Sequence, residues 1–171
     1  MRRRDLPWRA GPGEASDPYK VWLSEIMLQQ TVVATVIPYF LDFVRRWPTV
    51  CDLAQADSDS VMAAWAGLGY YARARNLHRT AQIVCRDHDG HFPDTVDGLL
   101  SLPGVGPYTA GAIAAMAFGG TAVVVDGNIE RVFARFYAIS TPLPAAKTDI
   151  GKAYVAQHPG VRPSDFPQAL M

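Results

Sequence analysis

Two carboxyl groups and a glycine-rich turn are the parts of this chain whose residue types and spacing suit chemistry. Glu25 stands in Trp22-Leu-Ser-Glu25-Ile-Met-Leu28, where its neighbours are largely apolar. Such surroundings disfavour the charged form, so its pKa is expected to rise and the residue to serve as a general acid. Asp126 is the lone acid in the apolar run Val123-Val-Val-Asp126-Gly-Asn128. One raised and one ionised carboxyl in a single cleft would divide the labour of glycosidic cleavage: the first protonates a leaving group, the second steadies an oxocarbenium-like sugar. Each acid also has a plainer reading. Glu25 can face solvent or pair with Lys20 or Arg45, and Asp126 can cap the amphipathic run Ile129, Val132, Phe133, Phe136, Tyr137.

The turn is Leu102-Pro-Gly-Val-Gly-Pro-Tyr-Thr-Ala-Gly111. Its breakers exclude helix over the Pro-Gly-Val-Gly-Pro core, while residues 108–118 are rich in Ala and free of Pro, so helix, tight hairpin and helix are expected in order. Gly104 and Gly106 permit a tight turn and close approach, and the amides of the hairpin and of the next helix start suit a phosphate. That grip sets position without reading bases. The plain alternative is an ordinary helix–helix connection.

The elements that must position these groups read as helical. Asp17-Pro18 opens a helix over residues 19–28, with Asp as cap and Pro at the first position. A second is expected over 31–46, with Val33, Val36, Ile37, Phe40 and Val44 on one face. Asp57 or Ser58 opens a third through Val61, Met62 and Trp65, closed by Gly67-Leu-Gly69. Residues 71–86 follow, with Leu77, Ala81 and Val84 inward; residues 87–93 form a polar linker, and 95–100 a short helix before the hairpin. Val123-Val-Val125 has strand propensity but no partner and too little length to found a sheet. The fold class is all-α.

The chain has 171 residues, and its 16 basic and 16 acidic side chains leave no formal net charge, so any grip on nucleic acid must be local rather than a bulk attraction. Its length fits one or two small domains, and its 49% hydrophobic residues can bury a sizeable core. The two cysteines, Cys51 and Cys85, lie far apart with no C-x-x-C or Cys/His cluster. They suggest neither a disulfide scaffold nor a metal site, and a cytoplasmic location is expected. Met1-Arg-Arg-Arg-Asp5 leads into Leu6-Pro-Trp8, and no run approaches a membrane span, so neither signal peptide nor anchor is expected.

Taken together, several segments resemble the MutY family of adenine DNA glycosylases, within the helix-hairpin-helix glycosylase superfamily. They are Leu6-Pro-Trp8, Pro18-Tyr-Lys-Val-Trp-Leu-Ser-Glu25, Met27-Leu-Gln-Gln-Thr31, Val36-Ile-Pro-Tyr-Phe40, Gly67-Leu-Gly-Tyr-Tyr-Ala-Arg-Ala-Arg-Asn-Leu77, the 102–110 hairpin and Val125-Asp-Gly-Asn128. The likeness covers nearly the whole chain in the family's order. It implies a six-helix barrel over residues 18–125 and a second helical domain from 1–17 and 126–171. It also implies a monofunctional base excision repair enzyme, a monomer that removes adenine mispaired with 8-oxoguanine or guanine from double-stranded DNA after taking the base out of the stack. By position, Glu25 matches the residue that protonates adenine N7 and then activates water, Asp126 the carboxylate beside the sugar, Tyr108 the hairpin tyrosine next to it, and Asn128 an asparagine that orients the acid. Gln30 and Tyr70 match side chains inserted into the duplex. Leu28, Trp8 and Arg9 match pocket or DNA-lining positions, and Gly104, Val105, Gly106 and Thr109 the hairpin's DNA contacts. Relatives resembling endonuclease III carry lysine where this chain has Tyr108, so no Schiff-base strand cleavage is expected. A thymine mismatch glycosylase of the superfamily also carries tyrosine there; Glu25 favours the adenine enzyme.

Singly, these motifs keep plainer readings: Gly67-Leu-Gly69 as a helix stop, Arg73-Ala-Arg75 as a solvated face, Tyr70-Tyr71 as core aromatics. In this order they point to a DNA-facing surface. The family continues to four cysteines that bind a 4Fe-4S cluster and to a domain that reads 8-oxoguanine. The sequence stops at Phe166-Pro-Gln-Ala-Leu-Met171 with neither, so no cofactor is expected in this chain and apolar faces within 127–171 are expected to be exposed. The readings left open are an active minimal glycosylase, a non-catalytic DNA-binding module, and an incomplete remnant.

Overall fold

The computed structural model describes residues 6–11, 14–120 and 127–157, and every regular element among them is helical. The elements are α1 (Pro18–Leu28), α2 (Val33–Arg46), α3 (Val50–Gln55), α4 (Ser58–Trp65), α5 (Ala72–Asp87), α6 (Val96–Leu100), α7 (Pro107–Phe118), α8 (Gly127–Phe136) and α9 (Ala146–Gln157).

Local chemistry sets most of the boundaries. The Asp17 carboxylate accepts from the Tyr19 amide at 2.9 Å with Pro18 in the first turn, which starts α1 where expected. Asp57, not Ser58, caps α4, accepting from the Ser60 amide at 3.0 Å, and Thr95 caps α6 through the Gly98 amide at 3.2 Å. Helix α3 was not foreseen: six residues show no periodicity, although Thr49 and Asp52 form the reciprocal capping box that marks its start. Helix α9, with a glycine at position 151, was not foreseen either.

α1 is the central helix. It packs against α2, α5 and α7, and every residue from Val21 to Met27 is buried, Glu25 included. A helix buried all round belongs inside a domain rather than on its surface. α7 is similarly buried from Thr109 to Met116, whereas α2 turns only Val36, Phe40 and Phe43 fully inward. One apolar core from Tyr19 to Met116 joins α1–α7, with Trp22, Trp65, Phe40 and Phe43 its bulkiest members. A separate small core of Ile129, Phe133, Ala146, Ile150 and Tyr154 joins α8 to α9, braced by Lys147 on Glu130 at 3.3 Å. On the same pair of helices Val132, Val155 and Phe136 are exposed, the last at 80%.

The expectation for the cysteines is corrected. Cys51 on α3 and Cys85 on α5 are bonded to each other, with Cα atoms 5.2 Å apart. Their distance along the chain hid the pairing; the packing of α3 along α5 brings them within disulfide reach. No helix among the described residues is long and apolar enough to cross a membrane.

Candidate active site and DNA interface

Glu25 retains 9% of its surface. The reading of it as a solvent-facing residue fails because α1 has no exposed face at that level, and its two suggested partners are engaged elsewhere: Lys20 lies 3.9 Å from Asp17, and Arg45 bonds Asp42 at 2.5 Å. One turn further on, Gln29 follows the end of α1 and reaches the hairpin. Its Nε2 donates to the Gly104 carbonyl at 3.4 Å and to Thr109 Oγ1 at 3.3 Å. The acid's helix is thereby tied to the start of α7, whose second residue is the half-buried Tyr108.

The hairpin is built apolar side inward. Leu102 and Val105 are buried, and the Val105 amide donates to the Leu102 carbonyl at 3.2 Å, so the Val105 side chain serves the core while its amide closes the turn. Thr80 Oγ1 on α5 donates to the Pro103 carbonyl at 2.9 Å. Gly104 has φ +77°, and a Cβ there would sit 2.9 Å from the Cβ of Asn76, so the turn lies directly against α5. No side chain caps the start of α7 at Gly106, which leaves a helix N-terminus of the kind that suits an anion. Thr109, by contrast, is buried beneath it with its hydroxyl engaged by Gln29.

Gln30 and Tyr70 are both exposed, Tyr70 at 66%, and both hold left-handed backbone, φ 57° and 48°. A non-glycine residue there costs about 1–2 kcal/mol, so the surroundings must impose it. Tyr70 and Tyr71 are therefore not core aromatics. The loop before Tyr70 is pinned by the Tyr39 hydroxyl donating to the Ala66 carbonyl at 2.8 Å and by Trp65 Nε1 donating to the Gly69 carbonyl at 3.0 Å. Gly67, at φ +104°, has no room for a Cβ, which would run into the Tyr39 hydroxyl oxygen.

The reading of Arg73-Ala-Arg75 as a solvated face holds for Arg75 alone. Arg73 is buried with only 9% of its surface left, its guanidinium among backbone carbonyls at the end of α1, and burial pulls its pKa below the ordinary arginine value. Sequence reading missed it because an Arg-x-Arg spacing on a helix normally faces water; the signal available was the i, i+4 and i+8 series Arg73, Leu77, Ala81, whose last two members were read as inward.

Trp8 packs edge-on against Phe40 at 5.2 Å, and Leu28 lies partly buried against the same core. Arg9 is half-buried beside Trp8 in the chain. Asn128 falls in the first turn of α8; its side chain, Asp126 and the 123–125 run lie outside the described residues. Among the described residues no group of three or more His, Cys, Asp or Glu is placed to hold a metal ion. The two cysteines, bonded to each other, do not fit a four-thiolate iron–sulfur cluster.

A family model described as HhH-GPD superfamily base excision DNA repair protein matches residues 23–150, most of the chain. The chain belongs to this superfamily. Among its relatives, a human protein named adenine DNA glycosylase is 47% identical, over 100% of this chain and 33% of its own length. One of the same name from Buchnera aphidicola is 41% identical, over 99% of this chain and 47% of its own. The chain thus spans a third to about half the length of these relatives. Among solved structures, one titled as a thermostable thymine-DNA glycosylase superposes with a TM-score of 0.86 at 30% identity, covering 99% of this chain and 77% of that one.

Proposed function

We propose that this chain carries the catalytic machinery of a monofunctional adenine DNA glycosylase, which hydrolyses the N-glycosidic bond of adenine mispaired with 8-oxoguanine or guanine in duplex DNA. The observation that carries the proposal is the burial of Glu25 in a helix tied by Gln29 to the hairpin. Burial within the domain shields this carboxyl from bulk water, and a general acid must be protonated when it acts. In this reading Glu25 gives its proton to adenine N7, the glycosidic electron pair leaves with the neutral base, and the Asp126 carboxylate balances the positive sugar. Glu25, now a carboxylate, takes a proton from the attacking water, which completes hydrolysis and restores the acid. Tyr108 has no amine, so no Schiff base forms at that position and strand cleavage by that route is not expected.

The hairpin amides and the open start of α7 would hold backbone phosphate, with Arg75 and Arg79 exposed on α5 to add local positive charge to a chain of zero net charge. Gln30 and Tyr70 would enter the duplex beside the extruded base, with Leu28, Trp8 and Arg9 lining its pocket and Asn128 orienting the acid. The reading includes a monomer working in the cytoplasm, a barrel over 18–125 and a second helical domain from the chain ends.

A second reading, a thymine mismatch glycosylase, is favoured by the overlap with the thermostable thymine enzyme. Single-turnover base release from duplexes carrying adenine opposite 8-oxoguanine, adenine opposite guanine, and thymine opposite guanine separates the two. The expected result is adenine release that falls about 10²–10⁴-fold in Glu25→Gln. Thymine release alone would replace the first reading with the second. No release from protein that melts cooperatively and binds duplex would identify a binding module.

A further inference from the structure

Among the described residues Arg73 touches both the turn at Gln30 and the turn at Tyr70, two of the four exposed non-glycine positions with left-handed backbone. Its Nη1 donates to the carbonyls of Ile26 at 3.2 Å, Met27 at 3.1 Å and Gln29 at 2.5 Å. Its Nη2 donates to Thr31 Oγ1 at 3.2 Å and to the Leu68 carbonyl at 3.0 Å. The guanidinium also lies over the rings of Trp65, at 5.3 Å, and Tyr70, at 5.7 Å. Gln29 and Thr31 flank Gln30; Leu68 and the Tyr70 ring bracket the second turn. Among the described residues no carboxylate pairs with Arg73, so the buried charge is met by carbonyl dipoles, one hydroxyl and two ring faces. Two of those carbonyls are otherwise unsatisfied groups at the end of α1, the negative end of its dipole.

We infer that Arg73 is a positioning residue that locks the Gln30 turn and the Gly67-to-Tyr71 turn into a single unit, so that both side chains are set for the duplex before it arrives. This rests on the reading of the site as one that opens duplex DNA. Only a planar fork with several donors can serve oxygens on two separate segments; a lysine ammonium is a point charge that satisfies one cluster at a time.

The test uses the full chain with Arg73→Lys, and Thr31→Val as a milder variant that removes only the hydroxyl contact. Hydrogen exchange in the free protein is followed at residues 28–31 and 67–71, alongside base extrusion reported by 2-aminopurine fluorescence opposite 8-oxoguanine, duplex affinity and thermal melting. With Arg73→Lys both segments exchange at least tenfold faster and together, extrusion slows by at least tenfold, and duplex affinity changes by less than threefold. Exchange that rises in one segment only, or extrusion unchanged after both have loosened, overturns the inference. Should Arg73→Lys not fold, Thr31→Val decides: a joint rise of about threefold in both segments supports the lock, and a rise confined to 28–31 refutes it. If the unmodified chain extrudes no base, the glycosylase reading falls, while the exchange result still judges Arg73.

Discussion

The hairpin and the left-handed turns at Gln30 and Tyr70 solve opposite problems with the same region of backbone space. In the hairpin the backbone itself must come close to α5 and, in the proposed function, to a phosphate, so the positive φ is given to a glycine that no side chain would fit. At Gln30 and Tyr70 a side chain must be displayed, so the strain is accepted in non-glycine residues and is imposed by neighbours. Glycine and strain are thus two signatures of different tasks. The sign of a substitution's effect on stability tells them apart.

The largest effect is expected for Gly104→Ala. The new methyl group meets Asn76 Cβ, an atom fixed to α5, so the hairpin has to lift and release Thr80 from the Pro103 carbonyl. Backbone strain, the clash and the lost bond together should cost about 3 kcal/mol in urea unfolding, and duplex affinity should fall with it. Gly67→Ala should cost less, about 2 kcal/mol, because the obstructing atom is the movable end of Tyr39, whose bond to the Ala66 carbonyl is lost. For Gln30→Gly the sign should reverse: relief of strain against the greater freedom of an unfolded glycine leaves a gain of roughly 0.5 kcal/mol, measured in the same titration, while adenine release slows. Tyr70→Gly should change stability least, since strain relief is offset by loss of the ring's contact with Arg73, yet adenine release should again fall. A loss above about 2 kcal/mol at either of the last two positions would erase the contrast, because it would make their conformation a packing requirement like that of the glycines.

Much of this is legible in the amino-acid sequence. Asp17-Pro18 and the Asp57-Ser58 pair mark helix starts through cap chemistry that acts over three residues, and the 102–111 stretch announces a hairpin through glycine and proline alone. Glu25 was legible as an acid among apolar neighbours. Its burial was not, because that depends on α2, α5 and α7 closing around α1 together. Arg73, Gln29 and the Cys51–Cys85 bond were hidden for the same reason: each joins segments distant in the chain, and local spacing carries no information about which helices meet. Helix α3 was too short for a period, and Asp126 lies outside the described residues.

Arg73, Asn76 and Thr80 lie on one stripe of α5, the first meeting both exposed turns, the other two meeting the hairpin. The helix therefore acts as a ruler. Inserting or deleting a single residue between Arg73 and Asp87's end of that stripe, at position 74 or 75, would turn the hairpin contacts about 100° away from the guanidinium while leaving every amino-acid type in place. Spacing, more than composition, is what this segment cannot change without uncoupling the hairpin from the two exposed turns, and so, in the proposed function, the grip on the DNA backbone from the opening of the pair.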